Sequence, residues 1–267
     1  MYDRELAVAL DAAHLAGTLL LREYARFQVI PDAPASITTE ADRQSQEIIL
    51  QAIRAALPND ALCAEEATAT LQGVASIGDR LWIVDPIDGT RGFARKNGEF
   101  SIMIGFVEKG QIALGVVAQP AVGRLTYAVS GEGCWRLDGA DTTPTRCQVS
   151  AVASLAESTL TQSRSRDPQR LSRLVEAIRP ARIVESYSAG IKLALVARGE
   201  ADIYLNTYDA FHDWDICAGH ILVVEAGGQV TGAGGQVLRY GLEGAWQRDG
   251  LLASNGQVHE LALRKIV

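Results

Sequence analysis

The chain has 267 residues, 48% of them hydrophobic and 21% charged, which allows a sizeable core and excludes an intrinsically disordered chain. The formal net charge of −7 excludes a general electrostatic attraction to nucleic acid or to an anionic membrane, so an anionic ligand needs a few placed cations or a metal. The cysteines, Cys63, Cys134, Cys147 and Cys217, form no CxxC pair, and the segment containing Asp3, Arg4 and Glu5 lacks the basic-then-apolar order of a signal peptide. No apolar run approaches the ~20 residues of a membrane span, and the expectation is a cytoplasmic protein with reduced thiols.

Leu6, Leu10, Ala13, Gly17, Leu20 and Tyr24 recur at three- and four-residue steps and predict a first helix with one apolar stripe. A second helix is predicted over 40–57, with Thr38 or Thr39 as N-cap and Pro58 after its end. Leu81-Trp82-Ile83-Val84 reads as a buried strand, which is expected to stop at Asp85-Pro86 because proline has no N–H for a central ladder. Residues 100–136 read as antiparallel strands broken at Lys109-Gly110, Ala121-Val122-Gly123 and Gly131-Glu132-Gly133. Helices are predicted over 168–178, 188–198 and 214–226, the last closed by Gly227-Gly228, with strands at 201–205 and 251–253 and a final helix after Asn255. This order places an α+β lobe, residues 1–145, before an alternating α/β lobe, residues 146–267.

The chemistry concentrates in acids at element ends. Glu65-Glu66 follows an apolar stretch, Asp85 and Asp88 flank Pro86-Ile87, and Asp215 stands at a helix start. Carboxylates so placed, with the Ile87 carbonyl between two of them, are oxygen ligands for a hard cation such as Mg²⁺. If a helix starts after Asp88, the N–H groups of Gly89, Thr90 and Arg91 are free to bind phosphate oxygens. Singly, each feature has a plainer reading: Asp-Pro and Asp-Gly are turn dipeptides, Glu65-Glu66 a solvated pair, Asp215 an N-cap and Asp42 a first-turn helix charge. An EF-hand loop is ruled out by Ile87 and Gly89 at its third and fifth places.

Trp82-Ile83-Val84-Asp85-Pro86-Ile87-Asp88-Gly89-Thr90 resembles the first signature of the inositol monophosphatase family, and Trp214-Asp215-Ile216-Cys217-Ala218-Gly219-His220 running on to Glu225-Ala226-Gly227-Gly228 resembles the second. Thr39-Glu40-Ala41-Asp42 and Ala64-Glu65-Glu66 match the upstream blocks in order. The resemblance implies an α/β fold, a layered αβαβα sandwich, and a lithium-sensitive phosphatase using two or three Mg²⁺ ions on a small-molecule phosphate monoester. It implies metal ligation by Glu65, Asp85, the Ile87 carbonyl, Asp88 and Asp215, phosphate binding at Gly89 and Thr90, and a catalytic set of Thr90, Asp42 and Glu65. The family contains monomers and dimers, so a homodimer is one expected assembly.

Within the family, Lys96-Asn97-Gly98-Glu99-Phe100 and Ile191-Lys192 ahead of Ala201-Asp202-Ile203-Tyr204 are similar to the CysQ-type 3'(2'),5'-bisphosphate nucleotidases. That branch implies Lys192 as a phosphate contact, with Ser188 adjacent to the place of the branch's serine; Tyr208 reads either as a surface for stacking a base or as an exposed loop tyrosine. The chain departs from the branch at Arg91, Gly92, Ala189 and Asn206. Tyr208 also stands where the inositol branch has a Glu for sugar hydroxyls. Histidinol-phosphate and sugar-phosphate hydrolysis are the other readings, and a catalytically silent phosphometabolite-binding protein is the alternative of another class. His212 reads as a loop residue, His14 and His220 as packing or surface residues, and Arg164 and Arg166 as parts of a solvated loop.

Overall fold

The computed structural model describes residues 2–164 and 173–266. In chain order the elements are α1 (Asp3–Arg26), α2 (Glu40–Ala56), β1 (Ala61–Ala64), β2 (Arg80–Asp88), α3 (Thr90–Ala94), β3 (Ser101–Glu108), β4 (Gln111–Gln119), β5 (Arg124–Val129), β6 (Gly133–Asp138) and β7 (Thr145–Cys147). There follow β8 (Thr159–Gln162), α4 (Arg173–Ile178), β9 (Arg182–Glu185), α5 (Ala189–Ala197), β10 (Ile203–Asn206), β11 (Phe211–His212), α6 (Asp213–Glu225), β12 (Gln229–Thr231), β13 (Trp246–Gln247), β14 (Leu251–Ser254) and α7 (His259–Ile266). Of the helix expected over 168–178, the portion 168–172 lies outside the described residues, as does Arg166.

A seven-stranded sheet runs β1 to β7 in sequence order, and a five-stranded sheet has the order β12-β14-β10-β8-β9. Three cores glue five layers together. One joins α1 and α2 to the outer face of the first sheet through Leu20, Ile49, Ile53, Trp82 and Ile104. The second fills the space between the sheets around α5 and α6, with Ile83, Met103, Leu193, Leu222 and Tyr204. The third places Val175 of α4 and Ala262 of α7 on the outer face of the second sheet, against Ile203, Leu205 and Leu252. The result is the αβαβα sandwich. Leu81 and Ile83 enter the central core while Trp82 and Val84 enter the outer one. The strand reads as an unbroken apolar run because both of its faces are buried.

The expected strand end at Pro86 is corrected: β2 continues to Asp88. Its register with β3 shifts between Asp85 and Asp88, and its pairing with β1 ends at Val84. Proline is tolerated because it sits where the ladder is already interrupted. The irregularity is what turns Asp85 and Asp88 away from simple strand alternation. No helix among the described residues is long and apolar enough to cross a membrane.

His220, on α6, is held neutral in the folded state. Burial pushes its pKa down to about 4, and its Nδ1 lies 2.8 Å from Tyr240 Oη. The unfolded chain takes up the proton near the ordinary value of about 6.5, so stability is complete above that pH and is lost as pH falls from there toward 4. We expect urea unfolding to show a loss on the order of 2 kcal/mol from this group between pH 7 and pH 4.5, absent in His220→Gln. Identical pH slopes in the two proteins would refute it.

Candidate active site

The acids named from the sequence gather where the ends of β1 and β2 meet α2, α5 and α6. Asp42, in the first turn of α2, is fully buried and accepts from Thr39 N at 2.8 Å and Thr39 Oγ1 at 2.6 Å on one oxygen, and from Thr90 Oγ1 at 2.8 Å on the other. Thr90 Oγ1 also lies 3.0 Å from the Ile87 carbonyl. One carboxylate thus caps a helix and holds the Thr90 hydroxyl. Burial raises the Asp42 pKa, opposed by those hydrogen bonds and reinforced by Glu66.

Asp85 is 2% exposed and accepts from Ile87 N at 3.0 Å, an Asx turn across Pro86. Burial raises its pKa well above the usual carboxylate range, followed by the charges of Glu65, Asp88, Asp215 and Asp42. Glu65, beside Asp85, is pushed up too, to about 8, first by desolvation of its carboxyl, although the residue as a whole is exposed, then by Asp215, Asp42 and Glu66. The segment carrying Glu65 is fixed by Glu65 N to Val84 O and by Gln46, whose Oε1 receives Glu66 N at 2.8 Å. Asp215, at the start of α6, accepts from His212 N at 2.6 Å and is raised to about 7 by burial, with Asp88 and Asp213 adding to the rise.

Asp88 has a different setting. Its carboxylate accepts from Ala189 N at 3.0 Å, Gly190 N at 2.7 Å, Ser101 Oγ at 3.0 Å and Ser188 Oγ. It therefore sits against the N-terminus of α5, where the amides and helix dipole favour an anion. Gly190 permits this approach, because a Cβ there would lie 2.7 Å from Ser101 Oγ and 3.1 Å from Asp88 Oδ2. Gly89, at φ 88°, makes the left-handed turn into α3 and has no room for a Cβ beside the Glu99 carbonyl. Behind α3 the rings of Tyr24, Phe93 and Phe100 pack with centroids 5.1–5.2 Å apart and hold the loop.

The structure thus brings Asp42, Glu65, Asp85, Asp88, Thr90 and Asp215 into one neighbourhood. Among the described residues, however, no three His, Cys, Asp or Glu side chains form a coordination cluster as they stand, with Asp88 engaged at α5. The donor set still fits a hard cation. It is all oxygen, and the raised pKa values of Glu65 and Asp85 come first from burial and then from the neighbouring acids, both of which a divalent ion in place of a proton offsets.

Lys192 and Ser188, expected at the substrate, are engaged within the fold. Both are buried. Lys192 Nζ donates to the Ser186 carbonyl at 2.9 Å and lies 5.1 Å from the Tyr204 ring centroid. Burial lowers its pKa to about 8. Ser188 caps α5 by accepting from Ile191 N and donates to Asp88, so both of its hydrogen-bonding capacities serve the fold. The N-cap preference of serine ahead of a helix was the available signal for that role. Tyr208 is 55% exposed, packed edge-on against Phe211 at 5.4 Å. His212 is more than a loop residue: it stacks 4.3 Å from Trp214 and 4.0 Å from Trp246, fixing the entrance to α6. Ser101 and Tyr187 were not singled out from the sequence, and Glu99 only as part of the Lys96-Asn97-Gly98-Glu99-Phe100 match. Each acts through contacts to residues 13 or 88 positions away, which no local pattern encodes.

A layered αβαβα sandwich carrying carboxylates at the ends of its first strands defines a class of α/β phosphatases. The chain belongs to the inositol monophosphatase family, whose model matches residues 1–267. It is similar to the fructose-1,6-bisphosphatase/inositol-1-monophosphatase of Thermotoga maritima, 35% identical over 86% of this chain and 82% of that protein. It is also similar to the 3'(2'),5'-bisphosphate nucleotidase CysQ of Salmonella typhimurium, 32% identical over 82% of this chain and 83% of that one. The solved structure of the Thermotoga maritima IMPase superposes with a TM-score of 0.79 at 32% identity, over 100% of this chain and 97% of that one. Members of the family hydrolyse phosphate monoesters and are generally metal-dependent, typically with Mg²⁺; this chain is a phosphoric monoester hydrolase.

Proposed function

We propose that the chain hydrolyses the phosphate monoester of a small phosphorylated metabolite at Mg²⁺ ions held by Glu65, Asp85, the Ile87 carbonyl, Asp88 and Asp215. The observation that carries this reading is the contact of Glu65 with Asp85 beside the Thr90–Asp42 hydrogen bond, repelling acids placed next to an oriented hydroxyl. Bound cations neutralise the phosphate, lower the pKa of a water and stabilise the leaving oxygen. The chain's own residues do the rest. Asp42 accepts the Thr90 hydroxyl proton, leaving the Thr90 oxygen as acceptor for a proton of the attacking water. The first-turn amides after Gly89 offer N–H groups to phosphate oxygens. Ligation by Asp88 exchanges part of its contact with α5 for the cation.

Among substrates, adenosine 3',5'-bisphosphate is the first to test, on the strength of the Lys96-Asn97-Gly98-Glu99-Phe100 match. The burial of Lys192 favours the second reading, an inositol, histidinol or sugar phosphate, because it withdraws the cation that the nucleotide reading relied on. A phosphate-release panel of these substrates, run in Mg²⁺, in Mg²⁺ with lithium and in EDTA, decides. We expect release in Mg²⁺, a reduction by lithium and a loss of at least about 100-fold in EDTA. Equal turnover in EDTA removes the metal mechanism, and substrate binding with no turnover in any condition revives the silent binder.

A further inference from the structure

Three guanidinium groups surround one ring beside the site. The Cζ atoms of Arg91, Arg95 and Arg164 lie 5.2, 5.8 and 5.8 Å from the centroid of Tyr187. Arg95 also donates to Tyr187 Oη at 2.7 Å. Arg164 is neutralised by Glu99, which in turn accepts from Tyr187 N at 3.2 Å. Arg91 and Arg95 form no ion pair among the described residues, and Arg91 Nε is buried without a hydrogen-bond partner. The Tyr187 ring and hydroxyl offset part of the cost of holding these guanidiniums together, but the buried Arg91 Nε–H has no acceptor among the described residues, and an anion would supply one.

The position of the cluster gives it a purpose. Arg91 follows Thr90 directly, and Tyr187 precedes Ser188, whose hydroxyl is on Asp88. The cluster is therefore one residue along the chain from Thr90 on one side and from Ser188 on the other. A single phosphate held at Thr90 has no need of two further free cations, whereas a metabolite with a second phosphate does. Two guanidinium forks are the side chains best matched to that group.

We infer that Arg91 and Arg95, braced by Tyr187 and by the Glu99–Arg164 pair, form a subsite for the second phosphate of a bisphosphorylated metabolite. The inference rests on the phosphatase reading for the first phosphate. It reassigns the second-anion role from Lys192, which is buried on the Ser186 carbonyl, to the arginines around Tyr187.

The test compares the wild-type chain with Arg95→Gln and Arg91→Gln/Arg95→Gln. Binding is measured by calorimetry in EDTA, and kcat/KM in Mg²⁺, for fructose 1,6-bisphosphate against fructose 1-phosphate and for adenosine 3',5'-bisphosphate against adenosine 3'-monophosphate, each monophosphate keeping the phosphate to be hydrolysed. We expect the wild type to prefer at least one bisphosphate over its monophosphate by about 30-fold or more, and the double variant to reduce that ratio to about 3-fold or less, chiefly through KM. Which pair shows the preference distinguishes a sugar from a nucleotide substrate. No preference in either measurement overturns the subsite, as does a preference that survives in the double variant or an equal loss on monophosphate and bisphosphate. A preference in binding with no turnover of any substrate supports the subsite and sinks the phosphatase reading instead. If the double variant does not fold, Arg95→Gln alone carries the same expectation with about a 5-fold change in the ratio.

Discussion

Asp85→Asn is expected to lower kcat by at least about 100-fold while leaving the metal-free protein as stable as the wild type or more so. Asparagine keeps the acceptor for Ile87 N and replaces a carboxylate crowded by Glu65 with a neutral amide. The folded pKa of Asp85 is raised, so the wild type in EDTA loses stability as pH climbs above the ordinary carboxylate range toward the folded value. The variant lacks that ionisation and does not lose it. Mg²⁺ should raise the Tm of the wild type by mass action and raise that of the variant much less. Melting curves at pH 5 and pH 8, with Mg²⁺ and with EDTA, read all of this. A variant that keeps near wild-type kcat, or melts well below wild type in EDTA, shows that Asp85 is not a ligand set against repulsion.

Asp88→Ala has the opposite sign in stability. Alanine strands the Ala189 and Gly190 amides and the Ser101 and Ser188 hydroxyls, all of which now donate to Asp88. Relief of its repulsion with Asp85 and Asp215 works the other way. Several stranded buried donors outweigh one screened repulsion, and a net loss of about 3 kcal/mol in EDTA is expected together with a loss of at least about 100-fold in kcat. Asp88→Asn, which preserves one acceptor oxygen, should lose less stability than alanine with a similar loss of kcat. Denaturant midpoints for the three variants rank them directly. Equal stability of Asp85→Asn and Asp88→Ala would show that the α5 contact contributes nothing.

Much of the fold was legible because its signals are local. The apolar stripe of α1, the uninterrupted apolar run of β2 and the left-handed turns at Lys109 and Gly110 or at Gly123 are dictated within a few residues. The continuation of β2 through Pro86 was not legible, since a proline is tolerated or not according to what its neighbours pair with. The two acids around that proline look equivalent in sequence. Only α5, arriving about 100 residues later in the chain, makes Asp88 a fastening and leaves Asp85 among like charges.

The acidic set at element ends was legible in the sequence because strand-end placement is a property of short segments, whereas the layered class and the roles of Thr90 and Asp42 came from the resemblance of its two signatures to the family's. The tertiary structure alone decided which cations are free. Lys192 is withdrawn onto the Ser186 carbonyl, and Arg91 and Arg95 lie around Tyr187 with no carboxylate partner among the described residues. Whether a charge is available depends on the groups that surround it and on its loss of water, and both are set by residues distant in the chain.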